Sequence, residues 1–286
     1  MSLSRRSFSG GGALYHCSDM KAVLLARGLG SRMKQEVDVT LSPDQVAAAA
    51  AGAKGMMPIG SRPFLDYVLG ALADAGCTKV CLVVAPDHAA IREYYEGHGR
   101  PSRLAIDYAV QPIADGTARA VQSAQAFAGR DPFLVLNSDN LYPAAVIKTL
   151  IDLDGPGLPA FEVDSLVRDS GFPRDRVMGF AAVDVDERGR LMRIFEKPGR
   201  DYFDAAGSRA LVSMNVWRFD DRIFDACRDV PLSARGEYEL PEAVGLAVSR
   251  GVAFQTFRAS GAVLDLSRRS DVALVNARLA GVEPRP

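Results

Sequence analysis

A chain of 286 residues can hold one large domain or two small ones and can bury about three quarters of its unfolded surface. Hydrophobic residues at 48% and charged residues at 24% exclude a disordered, coiled-coil or collagen-like chain. With 34 basic and 35 acidic residues the formal net charge is -1, so no overall field draws the protein to nucleic acid or an anionic membrane. Any anionic ligand must therefore be held by local cations.

Residues 1–19 carry Ser4-Arg5-Arg6-Ser7-Phe8, similar to the start of a twin-arginine signal, but Gly10-Gly11-Gly12 and the polar residues after it leave no apolar stretch of signal length. They read as a flexible extension, with folded structure expected from Met20. From there, short apolar runs at 22–26, 80–85, 104–110 and 133–137 alternate with helical periodicities at 63–75, 87–95 and 117–127. The alanine run at 47–51 should also be helical. This alternation predicts an α/β fold, a doubly wound Rossmann-like and mostly parallel sheet with helices on both faces. In such sheets ligands bind where loops leave the carboxyl ends of the strands.

Beyond about residue 170 the pattern changes to hairpins, with strands at 179–185 and 191–195 around the turn Asp186-Glu187-Arg188-Gly189. A strand at 210–219, helices at 221–228 and 240–250, a strand at 252–258 and a helix at 270–280 complete the chain. No Pro/Ser-rich linker interrupts it, so residues 20–286 are expected to form one domain, in which 151–286 add a β-hairpin substrate lobe to 20–150. No apolar run reaches bilayer length. Cys17, Cys77, Cys81 and Cys227 form no C-x-x-C and no zinc-like spacing with His16, His88 or His98, which points to reduced thiols and a cytoplasmic location.

The most informative stretch is Leu24-Leu25-Ala26-Arg27-Gly28-Leu29-Gly30-Ser31-Arg32-Met33, directly after the first strand. Gly28 and Gly30 let main-chain amides approach phosphate oxygens, and Arg32 follows within reach. Met33 stands where a dinucleotide fingerprint needs its third glycine, and no Gly-Lys-Ser/Thr is present, so neither an NAD site nor a P-loop fits. The stretch resembles the L-A-A-G-x-G-[ST]-R-[ML] signature of the sugar-phosphate nucleotidyltransferases. Lys54-Gly55-Met56-Met57-Pro58 is similar to the same family's lysine region, although Arg27 replaces a small residue and the span from Arg32 to Lys54 is longer than usual. Only six of the 34 basic residues are lysines, so two of them on signature positions is a specific signal.

Other segments follow in the family's order. Gln111-Pro112-Ile113-Ala114-Asp115-Gly116-Thr117-Ala118 resembles its Q-x-x-x-x-G-T-A base-recognition segment. A glutamine amide offers a donor and an acceptor to a base edge, and Thr117 can cap the helix that follows. Asp139, after the strand at 133–137, matches a magnesium aspartate. Asp265 in Val263-Leu264-Asp265-Leu266-Ser267 stands for the second one without the family's Trp or Gly-Thr, and Asp271 is the fallback. Ile194-Phe195-Glu196-Lys197-Pro198 matches an E-K-P element, with Gly179 and Asn215 at the spacing of sugar-pocket positions. Arg235-Gly236-Glu237-Tyr238-Glu239-Leu240 is similar to an R-G-E-x-E-[IL] segment that reads as structural support.

The resemblance implies transfer of a nucleoside monophosphate from an NTP to a sugar 1-phosphate with Mg²⁺ as cofactor. It implies Arg32, Lys54 and Lys197 as catalytic cations, and Leu25, Ala26, Gly28, Gly30, Ser31, Gln111, Gly116 and Thr117 as nucleotide contacts. Gly179, Glu196 and Asn215 would bind the sugar, and Asp139 and Asp265 the metal. The other reading is a catalytically inactive relative that binds the same ligands and regulates a partner. The base, the sugar and assembly into a homo-oligomer are left open, and neither nucleic acid nor membrane is expected as a partner.

Overall fold

The computed structural model describes residues 20–28, 30, 33, 40–51, 54–196 and 198–286. The extension 1–19 and the site residues Ser31, Arg32 and Lys197 lie outside them. In chain order the strands of the first half are β1 (Met20–Leu25), the pair β2 (Pro58–Ile59) and β3 (Arg62–Pro63), β4 (Cys77–Val84), β5 (Ala105–Val110), β6 (Phe133–Asn137) and β7 (Asn140–Leu141). The second half adds β8 (Gly157–Glu162), β9 (Ala182–Val185), β10 (Leu191–Phe195), β11 (Leu211–Val212), β12 (Val216–Phe219), β13 (Gln255–Ala259) and β14 (Leu264–Asp265).

Ten of these form one mixed sheet in the order β10-β9-β11-β8-β12-β6-β1-β4-β5, with β13 paired to β8. Strands β6, β1, β4 and β5 are parallel neighbours. The alternation of side chains along them decides the layering. Ala22 and Leu24 of β1, Val80 and Leu82 of β4, and Leu134 and Leu136 of β6 enter one core with the helix Phe64–Ala75. Val23, Cys81, Val83, Phe133 and Val135 enter a second core with the helices Thr117–Ser123, Ile223–Asp229 and Leu240–Ser249. A strand buried on both faces reads as a continuous apolar run, as these do. Each core draws on both halves of the chain, and β6 pairs directly with β12.

The turn at 186–189 joins β9 and β10 as an antiparallel hairpin, the Asp186 N–H donating to the Arg190 carbonyl at 2.9 Å. Four boundaries differ from expectation, among them the strand expected from 179, which begins only at Ala182 because the Gly179 N–H closes the helix Arg174–Val177 on the Arg176 carbonyl. The helix expected over 117–127 breaks at Ala124 into Thr117–Ser123 and Gln125–Ala128. The last strand begins only at Gln255, because the Val252 N–H still folds back on the Ala247 carbonyl. The strand expected over 210–219 is two strands, interrupted where Asn215 takes a left-handed φ of 57°. There the Ser213 N–H donates to the Ala181 carbonyl at 2.8 Å and the Ser213 hydroxyl accepts the Asn215 N–H, so local side-chain bonding competes with the ladder.

Burial pushes the Cys77, Cys81 and Cys227 thiols up to about 12, which leaves them inert, apolar core groups. Among the described residues no helix is long and apolar enough to cross a membrane.

Candidate active site

A cavity of about 300 Å³ opens at the carboxyl edge where β1, β5 and β6 end. Leu25, Ala26 and Gly28 from the glycine loop line it, together with Lys54, Gln111, Gly116, Thr117 and Asp139. Eight residues singled out from the sequence thus converge on one cleft from four separate segments. Gly30 does not line it. It is buried beside the loop with a left-handed φ of 64°, where a side chain would strain the backbone.

Arg27 also lines this cleft, although the sequence marks it only as a departure from a small residue. Its Nε donates to the Gln111 carbonyl at 3.1 Å and its Nη2 to the Pro112 carbonyl at 3.3 Å. The arginine therefore ties the glycine loop to the base-recognition segment. Downstream, Arg269 Nε donates to the Met33 carbonyl at 2.8 Å and anchors the far end of the loop to the C-terminal part of the chain.

Gln111 is buried, and its Nε2 donates both to Asp115 Oδ1 and to the Gly116 carbonyl at 3.0 Å. What its amide retains for a ligand is the carbonyl oxygen, an acceptor. Gly116 has φ 122°, and a Cβ there would lie 2.4 Å from the Tyr238 carbonyl oxygen. That close approach is a deliberate backbone junction: the Tyr238 N–H donates to the Asp115 carbonyl at 2.8 Å and the Ala118 N–H to the Tyr238 carbonyl at 2.9 Å. The segment 235–240 thus supports the nucleotide loop, and Glu237, which the sequence did not place in the site, reaches the cleft lining.

Thr117 does not cap the helix it begins. Its Oγ1 accepts the Leu240 N–H at 2.9 Å, satisfying an orphan donor at the start of the helix Leu240–Ser249 instead. Thr117→Val keeps the shape and removes that acceptor, and is expected to cost about 1 kcal/mol in urea unfolding.

Lys54 begins a short 3-10 turn, Lys54–Met56, held against the helix Phe64–Ala75. The Phe64 N–H donates to the Met57 carbonyl at 2.9 Å, and a Cβ on Gly55 would sit 3.4 Å from Leu65 Cβ. At the base of that helix the fully buried Asp66 accepts hydroxyl bonds from Tyr94 and Tyr95 and pairs with Arg62 Nε at 2.7 Å. So anchored, Lys54 Nζ lies 2.9 Å from Asp139 Oδ2, with both side chains less than one fifth exposed.

Asp265 stands behind this pair. Strand β14 pairs antiparallel with β7, setting Asp265 opposite Asn140, and the Leu266 N–H donates to the Asp139 carbonyl at 2.8 Å. The Asp265 carboxylate is buried. Its Oδ2 lies 3.2 Å from Arg176 Nη2, while its Oδ1 has no hydrogen-bond partner. Burial pushes this carboxyl above the usual range, the nearby Asp139 adds to the shift, and Arg176 opposes it. Arg176, absent from every motif, is itself held over the Phe172 ring and bonded twice to Asp271, at 2.6 and 3.1 Å. Asp271 Oδ2 also accepts the Ser267 and Arg268 N–H groups, so this residue closes a turn and holds Arg176. It does not replace Asp265.

Gly179, Glu196 and Asn215, expected to bind the sugar, do not line this cleft, and strand register sets where they lie. Ala182 at the start of β9 pairs with Phe195 at the end of β10 and with Val212 of β11, so Gly179 and Glu196 leave the hairpin at the same end. Val216 pairs with Leu136, which puts Asn215 beside the carboxyl end of β6, next to the Asp139 loop. Gly179 closes the helix Arg174–Val177, its N–H on the Arg176 carbonyl at 3.1 Å, and so joins this group to Arg176.

Asp139 lines the cleft, whereas Asp265 lines a second cavity with Arg176 and Asp271, so Asp139 alone faces the cleft with a carboxylate of the kind that suits a hard cation keeping water and phosphate ligands, as Mg²⁺ does. Among the described residues no group of three or more His, Cys, Asp or Glu is arranged for a metal.

The family profile described as nucleotidyl transferase matches residues 21–272. The low-salt glycan biosynthesis nucleotidyltransferase Agl11 of Haloferax volcanii is 26% identical over 261 residues, covering 90% of this chain and 65% of that protein, so this chain spans slightly under two thirds of that relative. A glucose-1-phosphate thymidylyltransferase of Streptomyces antibioticus is 28% identical over 278 residues, covering 93% and 68%. Among solved structures, a UDP-glucose pyrophosphorylase complexed with UDP-glucose superposes with a TM-score of 0.72 at 17% identity, over 91% of this chain and 98% of the other, a likeness of fold. With a match that runs unbroken from β1 through β14, and with the glycine loop, Lys54, Gln111 and Asp139 gathered on one cleft, the chain belongs to the nucleotidyl transferase family.

Proposed function

We propose that the protein transfers the nucleoside monophosphate of an NTP to a sugar 1-phosphate, giving an NDP-sugar and pyrophosphate. An oxygen of the sugar phosphate attacks the α-phosphorus, the bond from that phosphorus to the bridging oxygen of the β-phosphate breaks, and pyrophosphate leaves with the electron pair. The attacking phosphate is already ionised near neutral pH, so no general base is needed, and catalysis is positioning with charge neutralisation. The two substrates bring about six negative charges, with each terminal phosphate near -2. The amides around Gly28 and Gly30, with Arg32, hold the leaving pyrophosphate; Lys54 faces the α-phosphate; Glu196 accepts sugar hydroxyls, with Gly179 and Asn215 beside it, and Lys197 orients the sugar phosphate.

Asp139 would hold Mg²⁺, with Asp265 behind it. When bound, the ion neutralises charge on the triphosphate and fixes its orientation. Gln111 retains an acceptor, which is compatible with the ring N–H of uracil, thymine or guanine. Glucose 1-phosphate with a thymidine or uridine triphosphate is the first pair to assay, following the names of relatives. Residues 20–286 act as one catalytic domain, 1–19 as an extension outside it, and the location is cytoplasmic.

The observation that carries this reading is the Lys54 ammonium 2.9 Å from the Asp139 carboxylate, in the same cleft as the glycine loop and Gln111. A matrix of NTPs against sugar 1-phosphates, scored by Mg²⁺-dependent pyrophosphate release, tests it. An NTP that binds with no release under any acceptor would indicate an inactive relative. In the active pair, Glu196→Gln is expected to raise KM for the sugar 1-phosphate roughly tenfold, the loss of one charge-assisted hydrogen bond, and to leave KM for the NTP unchanged.

A further inference from the structure

Two cations line the cleft among the described residues, and only Lys54 is paired there with a carboxylate. Arg27 donates to main chain instead, Nε to the Gln111 carbonyl at 3.1 Å and Nη2 to the Pro112 carbonyl at 3.3 Å. Its Nη1 is buried and, among the described residues, has no partner. Nε and Nη2 lie along one edge of the guanidinium, so two successive carbonyls on that edge fix the plane of the group as well as its position. With that edge occupied and Nη1 shut away from solvent, what the group has left to offer a ligand in the cleft is its flat face.

From this geometry we infer that Arg27 is a nucleotide-binding residue that stacks on the base, its guanidinium covering the ring face while Gln111 meets the ring edge. The inference rests on the nucleotidyl-transfer reading of the cleft and adds a contact that a small residue at this position could not make. A phosphate is the other anionic or electron-rich partner open to an arginine, but phosphate is held best by the in-plane N–H fork, and here one edge of that fork is taken by carbonyls. Stacking breaks neither bond. A planar, weakly hydrated cation on a π face gains without first shedding a tight water shell. The site of the face agrees: it is tied to the main chain of Gln111 itself, whose side-chain carbonyl remains an acceptor.

The test compares UTP with dihydro-UTP, and dTTP with dihydro-dTTP, by calorimetric titration of the full chain without acceptor. Reduction of the ring C=C bond removes the aromatic face and keeps the ring N–H with both flanking carbonyls, so the edge offered to Gln111 is unchanged. Wild type is expected to bind the dihydro nucleotides about fivefold more weakly, the size of a partly exposed cation–π contact. Arg27→Lys keeps the charge and loses the plane. It should bind UTP about fivefold more weakly than wild type, no longer distinguish UTP from dihydro-UTP, and keep wild-type affinity for inorganic tripolyphosphate. Equal affinity of wild type for both members of each pair overturns the proposal, as does a preference that persists in the variant or the absence of UTP and dTTP binding. Parallel loss of tripolyphosphate and UTP affinity would assign Arg27 to the phosphates and overturn it too. Should Arg27→Lys fail to fold by circular dichroism, Arg27→Met takes its place in the dihydro comparison. Pyrophosphate release is assayed separately: release without the preference counts against stacking alone, and the preference without release counts against the reaction alone.

Discussion

Asp139→Asn is expected to lower kcat about 10²–10³-fold while the protein stays folded, the size of effect found when one electrostatic contact to a transition state is removed. The substitution keeps the volume of the side chain and its place after β6, and takes away only the charge. Two consequences follow in the same cleft: the metal loses its more accessible carboxylate, and Lys54 loses the charge of its partner 2.9 Å away. Because the amide oxygen that replaces the carboxylate can still accept from the Lys54 ammonium, the midpoint of thermal unfolding should change by only a few degrees. Steady-state pyrophosphate release beside a thermal melt separates the two readouts. Wild-type turnover in this variant would remove Asp139 from the mechanism.

Gly116→Ala should be among the most destabilising single substitutions in the chain, at about 2–5 kcal/mol. Two independent penalties combine. At φ 122° the backbone occupies a region open in practice to glycine, and an added Cβ would lie 2.4–2.5 Å from main-chain atoms of Tyr238, which are pinned on both sides by hydrogen bonds to Asp115 and Ala118. Neither side of the junction can yield without breaking those bonds. The Gln111 amide, which donates to the Gly116 carbonyl, would be displaced along with them. Urea unfolding should show the loss of stability, and nucleotide affinity should fall in parallel. A variant with unchanged stability would mean that the junction between 111–117 and 237–240 is loose.

Much of this site could be read directly from the chain, and the reason is local. A strand followed at once by its loop keeps neighbouring residues contiguous, so Leu25 to Gly30, Gln111 to Thr117 and Asp139 can be matched to a family signature segment by segment. The same locality explains the misreadings. Thr117 looks like the cap of its own helix, yet its hydroxyl serves Leu240, far along the chain. Arg27 looks like a departure from pattern until its bonds to the carbonyls of Gln111 and Pro112 show it joining two loops. Arg176 belongs to no motif, and no sequence signal links it to Asp265 and Asp271.

By itself the amino-acid sequence determined the alternation of strands and helices and the hairpin around Asp186 to Gly189, because periodicity and turn chemistry act over a few residues, while the order of the site loops came from resemblance to a family signature. Only the tertiary structure decided which charges meet. Pairing of β14 with β7 sets Asp265 behind Asp139, pairing of β12 with β6 brings Asn215 to the same edge, and Arg176 pairs with one oxygen of Asp265 while the other stays buried without a partner. Electrostatic energy depends on distance and on the surrounding medium, and for residues remote in the chain both are set by the packing of the sheet.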